Sequence, residues 1–294
     1  MRAWLRHIKP VLDVILTLII WVYYFSSYLL VFWEWYAAAF LFSRDREIAF
    51  QRINHSYYRG FFSFLRHLVP GLSFAIHQDV RSIRSSIIVC NHLSYLDPIL
   101  LIAVFEQHKT IVKNVFFKVP IFAWVLKTAG YLPANASGTL VPLMMERLGG
   151  LRDYLGGGGN LFIFPEGTRS RNGRLGPFND GAFKIAKRLN APVQVVLIRN
   201  TERLFPPDRF LFNTCVENAI EVSLIGTIRT DDQEKGLSVS ELKNRAWSLL
   251  NETLNGSATK VTIADTRNQN SPHAQCPDGH TTNGSTPNPD SRGS

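Results

Sequence analysis

Residues 88–98 read Ile88-Val89-Cys90-Asn91-His92-Leu93-Ser94-Tyr95-Leu96-Asp97-Pro98. A short apolar run stops at Asn91-His92, and an apolar helical pattern begins soon after Ser94. The stretch therefore predicts a strand-to-helix corner carrying a histidine and a carboxylate five positions apart. On one continuous helix five steps would separate them by roughly 140°. Across a corner, Asp97 can fold back onto the His92 ring, the arrangement that orients an imidazole which must take a proton. Spacing alone carries little, since His273 and Asp278 repeat it inside a polar tail. The strand before and the helix after give the first pair its weight.

Working outward, strands and helices alternate. Strand-like runs fall at 86–90, 110–113, 160–164, 193–198 and 220–225, and helical patterns at 94–105, 120–129, 139–155, 180–190 and 239–252. This alternation predicts an α/β fold, a sheet flanked by helices. Gly156-Gly157-Gly158-Gly159 precedes a strand, and no Lys-Ser pair follows it. We read it as the turn that ends a helix rather than as a nucleotide loop.

A second polar cluster, Phe164-Pro165-Glu166-Gly167-Thr168-Arg169-Ser170, begins where strand 160–164 ends. Gly167 permits close backbone approach, Thr168 and Ser170 supply hydroxyls, and Arg169 offers a planar fork for phosphate oxygens. Arg171, Arg174, Lys184, Lys187 and Arg188 add positive potential nearby. An isolated cluster of this kind would read as a polar turn in which Glu166 pairs with Arg169. Beside a His-Asp corner at another strand end, it reads as an anion site.

The corner has a base and an orienting carboxylate but no evident protein nucleophile. Ser94 is placed to cap the following helix, and Cys90 sits in an apolar strand as a buried thiol. The pair suits direct attack by a substrate hydroxyl on an activated acyl group. A hydrolase using Cys90 or Ser94, and a non-catalytic binding protein, are the competing readings.

Residues 14–33 carry no charged side chain, and after Glu34 the run continues to Ser43. A helix over 14–43 would reach about 45 Å, beyond a hydrocarbon core of about 30 Å. A hairpin turning near Ser26-Ser27 and a single tilted span both fit. Arg2, Arg6 and Lys9 before the run and Arg44, Arg46, Arg52 and Arg59 after it suit a hairpin with both ends cytoplasmic. Residues 46–69 interleave aromatic and basic side chains, as in a helix lying on lipid headgroups or one packing its aromatics inward.

The domain reading is thus a membrane anchor over 1–45, an interfacial or linking helical segment over 46–84, an α/β domain over 85–255 and a disordered tail over 256–294. The net charge of +9 fits an anionic membrane surface or phosphate-bearing substrates. No nucleic-acid motif appears, and the basic residues mostly lack interleaved stacking aromatics, so no nucleic-acid partner is expected. The three widely spaced cysteines show no metal or redox spacing and fit a reducing compartment.

Asn91-His92-x-Ser94-x-x-Asp97 and the Phe164–Ser170 block resemble the first and third signature blocks of the glycerolipid acyltransferases, typified by 1-acylglycerol-3-phosphate acyltransferases. The resemblance covers roughly residues 85–226. It implies His92 as general base supported by Asp97, with Asn91, Ser94, Glu166, Gly167, Thr168 and Arg169 around the substrate. It also implies an acyl-CoA or acyl-carrier-protein donor, a lysolipid acceptor, and no metal or organic cofactor. Two departures stand out. Gly130-Tyr131-Leu132-Pro133-Ala134-Asn135 lacks the arginine usual in the second block, which leaves a lyso-aminolipid or another hydroxylated lipid open as acceptor. Pro192 keeps the fourth-block proline only at the start of its strand.

Overall fold

A computed structural model describes residues 3–134, 136–171, 173–231 and 236–268. The described residues divide into two units after Thr253. The first begins with α1 (Ala3–Ser27) and α2 (Trp33–Phe42), followed by α3 (Arg46–Leu68), β1 (Leu72–Ile76) and α4 (Gln78–Ser82). Next come β2 (Ile87–Cys90), α5 (Leu96–Val104), β3 (His108–Val112), α6 (Pro120–Thr128) and β4 (Leu132–Pro133). Then follow α7 (Leu140–Gly149), α8 (Leu151–Gly156), β5 (Asn160–Ile163), α9 (Gly181–Leu189), β6 (Val193–Arg199), α10 (Thr201–Leu204), β7 (Asn218–Ile228) and α11 (Val239–Asn268).

The seven strands form one sheet in the order β1-β7-β6-β2-β5-β3-β4. Every neighbouring pair is parallel except β6 and β7. Burial explains why the central strands read as unbroken apolar runs. Every residue of β2 and of β5 is buried, as expected for parallel strands covered on both faces. Because β6, β2 and β5 are parallel neighbours, their carboxyl ends open onto one edge of the sheet. Val89 pairs with Ile163 and Cys90 with Val196. Ligands of open α/β sheets bind outside such an edge.

One of the two readings of the apolar run is followed, and two expected bounds differ. The chain does not turn at Ser26-Ser27: Ser27 (φ −64°, ψ −38°) and Trp33 (φ −56°, ψ −44°) keep helical backbone around a π-helical turn at Tyr28–Phe32. Ser27 Oγ donates back to the Tyr23 carbonyl (2.6 Å), so its hydroxyl is satisfied inside the helix rather than in a turn. The result is one continuous helical path. The sheet also begins before residue 85, since β1 pairs in parallel with β7. Finally, residues 256–268 continue α11 in place of the expected unstructured tail. The rest of that tail, with His273 and Asp278, lies outside the described residues. Of the two readings of 46–69, α3 follows the packed one. Asp45 caps it by accepting from the Ile48 amide, and Phe50, Tyr57, Phe61, Phe62 and Leu65 are buried.

A buried polar chain fastens the 130–133 segment. Tyr36 donates to Asn54 Oδ1, Asn54 Nδ2 to the Tyr131 hydroxyl (3.1 Å), and that hydroxyl to His108 Nε2 (2.6 Å). His108 Nδ1 faces the Phe105 carbonyl (2.7 Å), which fixes Nδ1 as the protonated nitrogen. Gly130 adopts φ +78°, a left-handed backbone conformation that favours glycine. Burial lowers the His108 pKa from 6.5 to about 3. The folded state thus binds fewer protons than the unfolded chain between those values, and stability falls as pH drops through that window, by about 1.4 kcal/mol per unit at most. Urea unfolding at about pH 7 and pH 4.5 should differ by ~2–3 kcal/mol from this group, and His108→Gln should remove that part of the slope.

Candidate active site

Three segments leave the common sheet edge. Residues 91–97 follow β2, residues 164–170 follow β5, and residues 200–204 follow β6. The first makes the corner. Asp97, in the first turn of α5, is fully buried. Its Oδ2 accepts from the Leu93 amide (2.5 Å), the Ser94 amide (2.7 Å) and His92 Nδ1 (2.9 Å). Its Oδ1 accepts from the Thr201 hydroxyl. These four donors offset the cost of burying the carboxylate. Since Nδ1 carries the proton toward Asp97, Nε2 holds the lone pair and is the atom able to take a substrate proton. The His92 ring stacks on Phe164, centroids 4.3 Å apart, which sets its plane.

Glu166 joins the two blocks. Its Oε1 accepts from the His92 amide (3.1 Å) and its Oε2 from the Gly176 amide (2.8 Å). Burial raises its pKa against the pull of these two amides. It does not pair with Arg169, as an isolated polar turn would require. The Ser170 amide donates to the His92 carbonyl (2.8 Å), a second tie between the blocks. Gly167 sits at φ +67°, the left-handed geometry that lets the chain turn sharply after β5. Gly167 and Thr168 are exposed at the rim.

Arg169 lies flat against Tyr95, with Cζ 3.4 Å from the ring centroid. Its Nη2 is 3.9 Å from Asp208, whose carboxylate also faces Arg171 at 3.3 Å. Its Nη1 is buried with no hydrogen-bond partner among the described residues. An unpaired buried guanidinium N–H costs on the order of 1–3 kcal/mol. A planar guanidinium donor of this kind is suited to the oxygen of an anion.

Three residues expected around the substrate have their side chains bonded within the protein. Asn91 is buried, and its amide is consumed by both backbone groups of Ile198 at 2.8 Å. Ser94 Oγ donates to the Phe205 carbonyl (2.7 Å) and accepts from the Leu96 amide (3.2 Å). Glu166 is the inter-block tie just described. All three hold the scaffold instead of presenting groups to a ligand. The Ser94 hydroxyl is thus committed to the Leu96 amide at the start of α5 and to the Phe205 carbonyl, and among the described residues it donates to no histidine or carboxylate. Cys90 is buried, and desolvation, with the charges of Asp97 and Glu166, pushes its thiol pKa well above the usual range. It is the wrong thiol for acyl-enzyme chemistry.

Thr201 and Tyr95 were not foreseen. The signal for Thr201 was present: β6 ends at a strand-to-helix corner, Arg199-Asn200-Thr201, parallel to the other two.

A family model of acyltransferases matches residues 73–199, the stretch that holds both blocks and the three central strands. Over these residues the chain is similar to that family. Among similar proteins is the chloroplastic 1-acyl-sn-glycerol-3-phosphate acyltransferase of Brassica napus, 34% identical over 118 residues, covering 40% of this chain and 34% of that protein. The 1-acyl-sn-glycerol-3-phosphate acyltransferase of Pseudomonas aeruginosa is 26% identical over 194 residues, 65% of this chain and 72% of that one. The chain spans about a third of the length of the plant relatives. The crystal structure of the 1-acyl-sn-glycerophosphate acyltransferase of Thermotoga maritima shares the fold, with a TM-score of 0.66 at 21% identity. That alignment covers 85% of this chain and 98% of that one.

Proposed function

We propose that this protein is a membrane-bound O-acyltransferase that moves a fatty acyl group from a thioester to the hydroxyl of 1-acylglycerol 3-phosphate or a similar lysolipid. The observation that carries this reading is the His92–Asp97 pair, in which Nδ1 is bound and Nε2 keeps its lone pair, together with the buried Arg169 guanidinium N–H that has no hydrogen-bond partner among the described residues. His92 takes the proton of the acceptor hydroxyl as its oxygen attacks the thioester carbonyl. The tetrahedral intermediate collapses with cleavage of the C–S bond, and the imidazolium returns its proton to the departing thiolate. Acyl-CoA and acyl-carrier protein both supply such a thioester. The names of the relatives support the phosphate-bearing acceptor. The absence of an arginine from 130–134 keeps a lyso-aminolipid as the second reading.

The long helix supports a membrane location. Residues Ile8–Phe42 are long and apolar enough to cross a bilayer. One side, including Thr17, Ile20 and Tyr36, is buried against the domain, while Val11, Ile15, Leu18, Val22, Phe25 and Leu30 are exposed. A helix sheathed by its own domain along one side fits half-immersion in the interface. Basic residues on both flanks favour the cytoplasmic leaflet.

Arg169→Ala tests the anion site. Acceptor KM for 1-acylglycerol 3-phosphate should rise by about tenfold to a hundredfold, the worth of a charge-assisted hydrogen bond. Donor KM should stay within about twofold. Unchanged acceptor kinetics would remove Arg169 from the site.

A further inference from the structure

The side of α1 that meets the domain is not simply apolar. Lys9, Asp13 and Thr17 recur every fourth residue, so they form one stripe. Asp13 and Thr17 are buried, whereas Leu12, Val14, Ile15 and Leu18 around them are exposed. A helix serving only to hold the protein on lipid would gain by filling those positions with hydrocarbon, because a buried carboxylate is costly.

Each stripe residue instead holds the 212–214 backbone or side chains. Asp13 Oδ1 accepts from the Thr214 amide (2.8 Å) and hydroxyl (2.7 Å). Lys9 Nζ bridges Asp13 Oδ2 (2.6 Å) and Asn213 Oδ1 (2.7 Å). Thr17 Oγ1 accepts from the Phe212 amide (2.9 Å). From there the contacts run directly to the base. Asn213 donates through its amide to the Leu204 carbonyl (2.8 Å) and through Nδ2 to the Arg203 carbonyl (3.1 Å). Phe212 stacks on Phe205, centroids 4.4 Å apart. The Phe205 carbonyl receives Ser94 Oγ, and Thr201, one turn earlier, donates to Asp97.

We propose that Lys9, Asp13 and Thr17 are positioning residues for acyl transfer. They hold segment 201–214 so that Thr201 and Phe205 keep the His92–Asp97 corner in its reactive geometry. This rests on the acyltransferase reading above. Loss of the stripe leaves the dyad's chemistry intact but loosens its placement, and a misplacement of about 1 Å can cost on the order of a hundredfold in rate.

The test uses the full-length protein carrying Asp13→Leu, Asp13→Asn or the milder Thr17→Val. Three readouts are taken: co-sedimentation with phosphatidylglycerol–phosphatidylethanolamine vesicles, transfer kinetics, and amide hydrogen exchange. Asp13→Leu adds hydrocarbon to an anchoring helix, so vesicle binding should be kept. Its kcat should nevertheless fall about tenfold to a hundredfold with donor KM unchanged. Asp13→Asn, which can still accept from Thr214, should recover most of the rate. Exchange should quicken at Leu204, Phe205 and Asn213. If Asp13→Leu does not fold, Thr17→Val should show the same pattern to a smaller degree. A kcat within twofold of wild type, or activity lost only together with vesicle binding, overturns the proposal. A wild type without transferase activity would instead refute the proposed function. In that case exchange decides alone: quickening that reaches 201–205 supports the positioning role, and quickening confined to 212–214 overturns it.

Discussion

His92→Ala is expected to lower acyl transfer by on the order of 10³-fold, the usual worth of a positioned general base. The loss should fall on kcat, because the ring deprotonates the acceptor only as the new bond forms. The fold should survive. The ring's contacts are the Nδ1 bond to Asp97 and the stack on Phe164, while the corner's backbone is held by Asp97, Glu166 and Ser170. Thermal unfolding should therefore shift by only a few degrees, as expected for a change of about 1 kcal/mol. Steady-state kinetics and a melting curve on the same preparation check both halves. Turnover within tenfold of wild type would exclude His92 as the base.

Asp97→Asn is the second large effect. The substitution keeps size and shape. Its carbonyl oxygen can still accept from Leu93, Ser94 and His92, and its amide can donate to Thr201, whose hydroxyl accepts as well as donates. What disappears is the charge that stabilises the imidazolium as it forms. A loss of about 10³–10⁴-fold in kcat is expected, with the domain still folded. Asp97→Ala should behave differently. It leaves the buried Leu93 and Ser94 amides unpaired, each costing about 1–3 kcal/mol, so the domain itself should weaken in urea unfolding. A destabilised Asp97→Ala beside a folded but slow Asp97→Asn would separate the carboxylate's two duties.

Much of this site was legible because its signals are local. A buried strand, a turn and a polar pair within ten residues announce the corner, and the fully buried β2 and β5 announce themselves as apolar runs. The long-range pieces were not legible. β1 is a short edge strand whose burial alternates, so its apolar content alone did not mark it as part of the sheet. Thr201 lies far from Asp97 in sequence, and only the parallel pairing of β6 with β2 brings it there. Asn91, Ser94 and Glu166 were recognised as important residues, but whether a polar side chain faces a ligand or its own backbone is decided by neighbours the sequence does not place. The same limit applies to Asp13. In sequence it is a charge at the edge of an apolar run, and only the fold supplies Thr214 as its partner. The helix turned no hairpin because its serines could satisfy their hydroxyls internally.

The most direct test of the central claim is acyl transfer by the detergent-solubilised full-length protein. Labelled acyl-CoA and acyl-carrier protein would be supplied with a panel of lysolipids that includes 1-acylglycerol 3-phosphate and a lyso-aminolipid. A diacyl product with a phosphate-bearing acceptor, lost in the His92→Ala protein, is the expected result. Release of free fatty acid with no acylated lipid from any acceptor, unchanged in that variant, would contradict it.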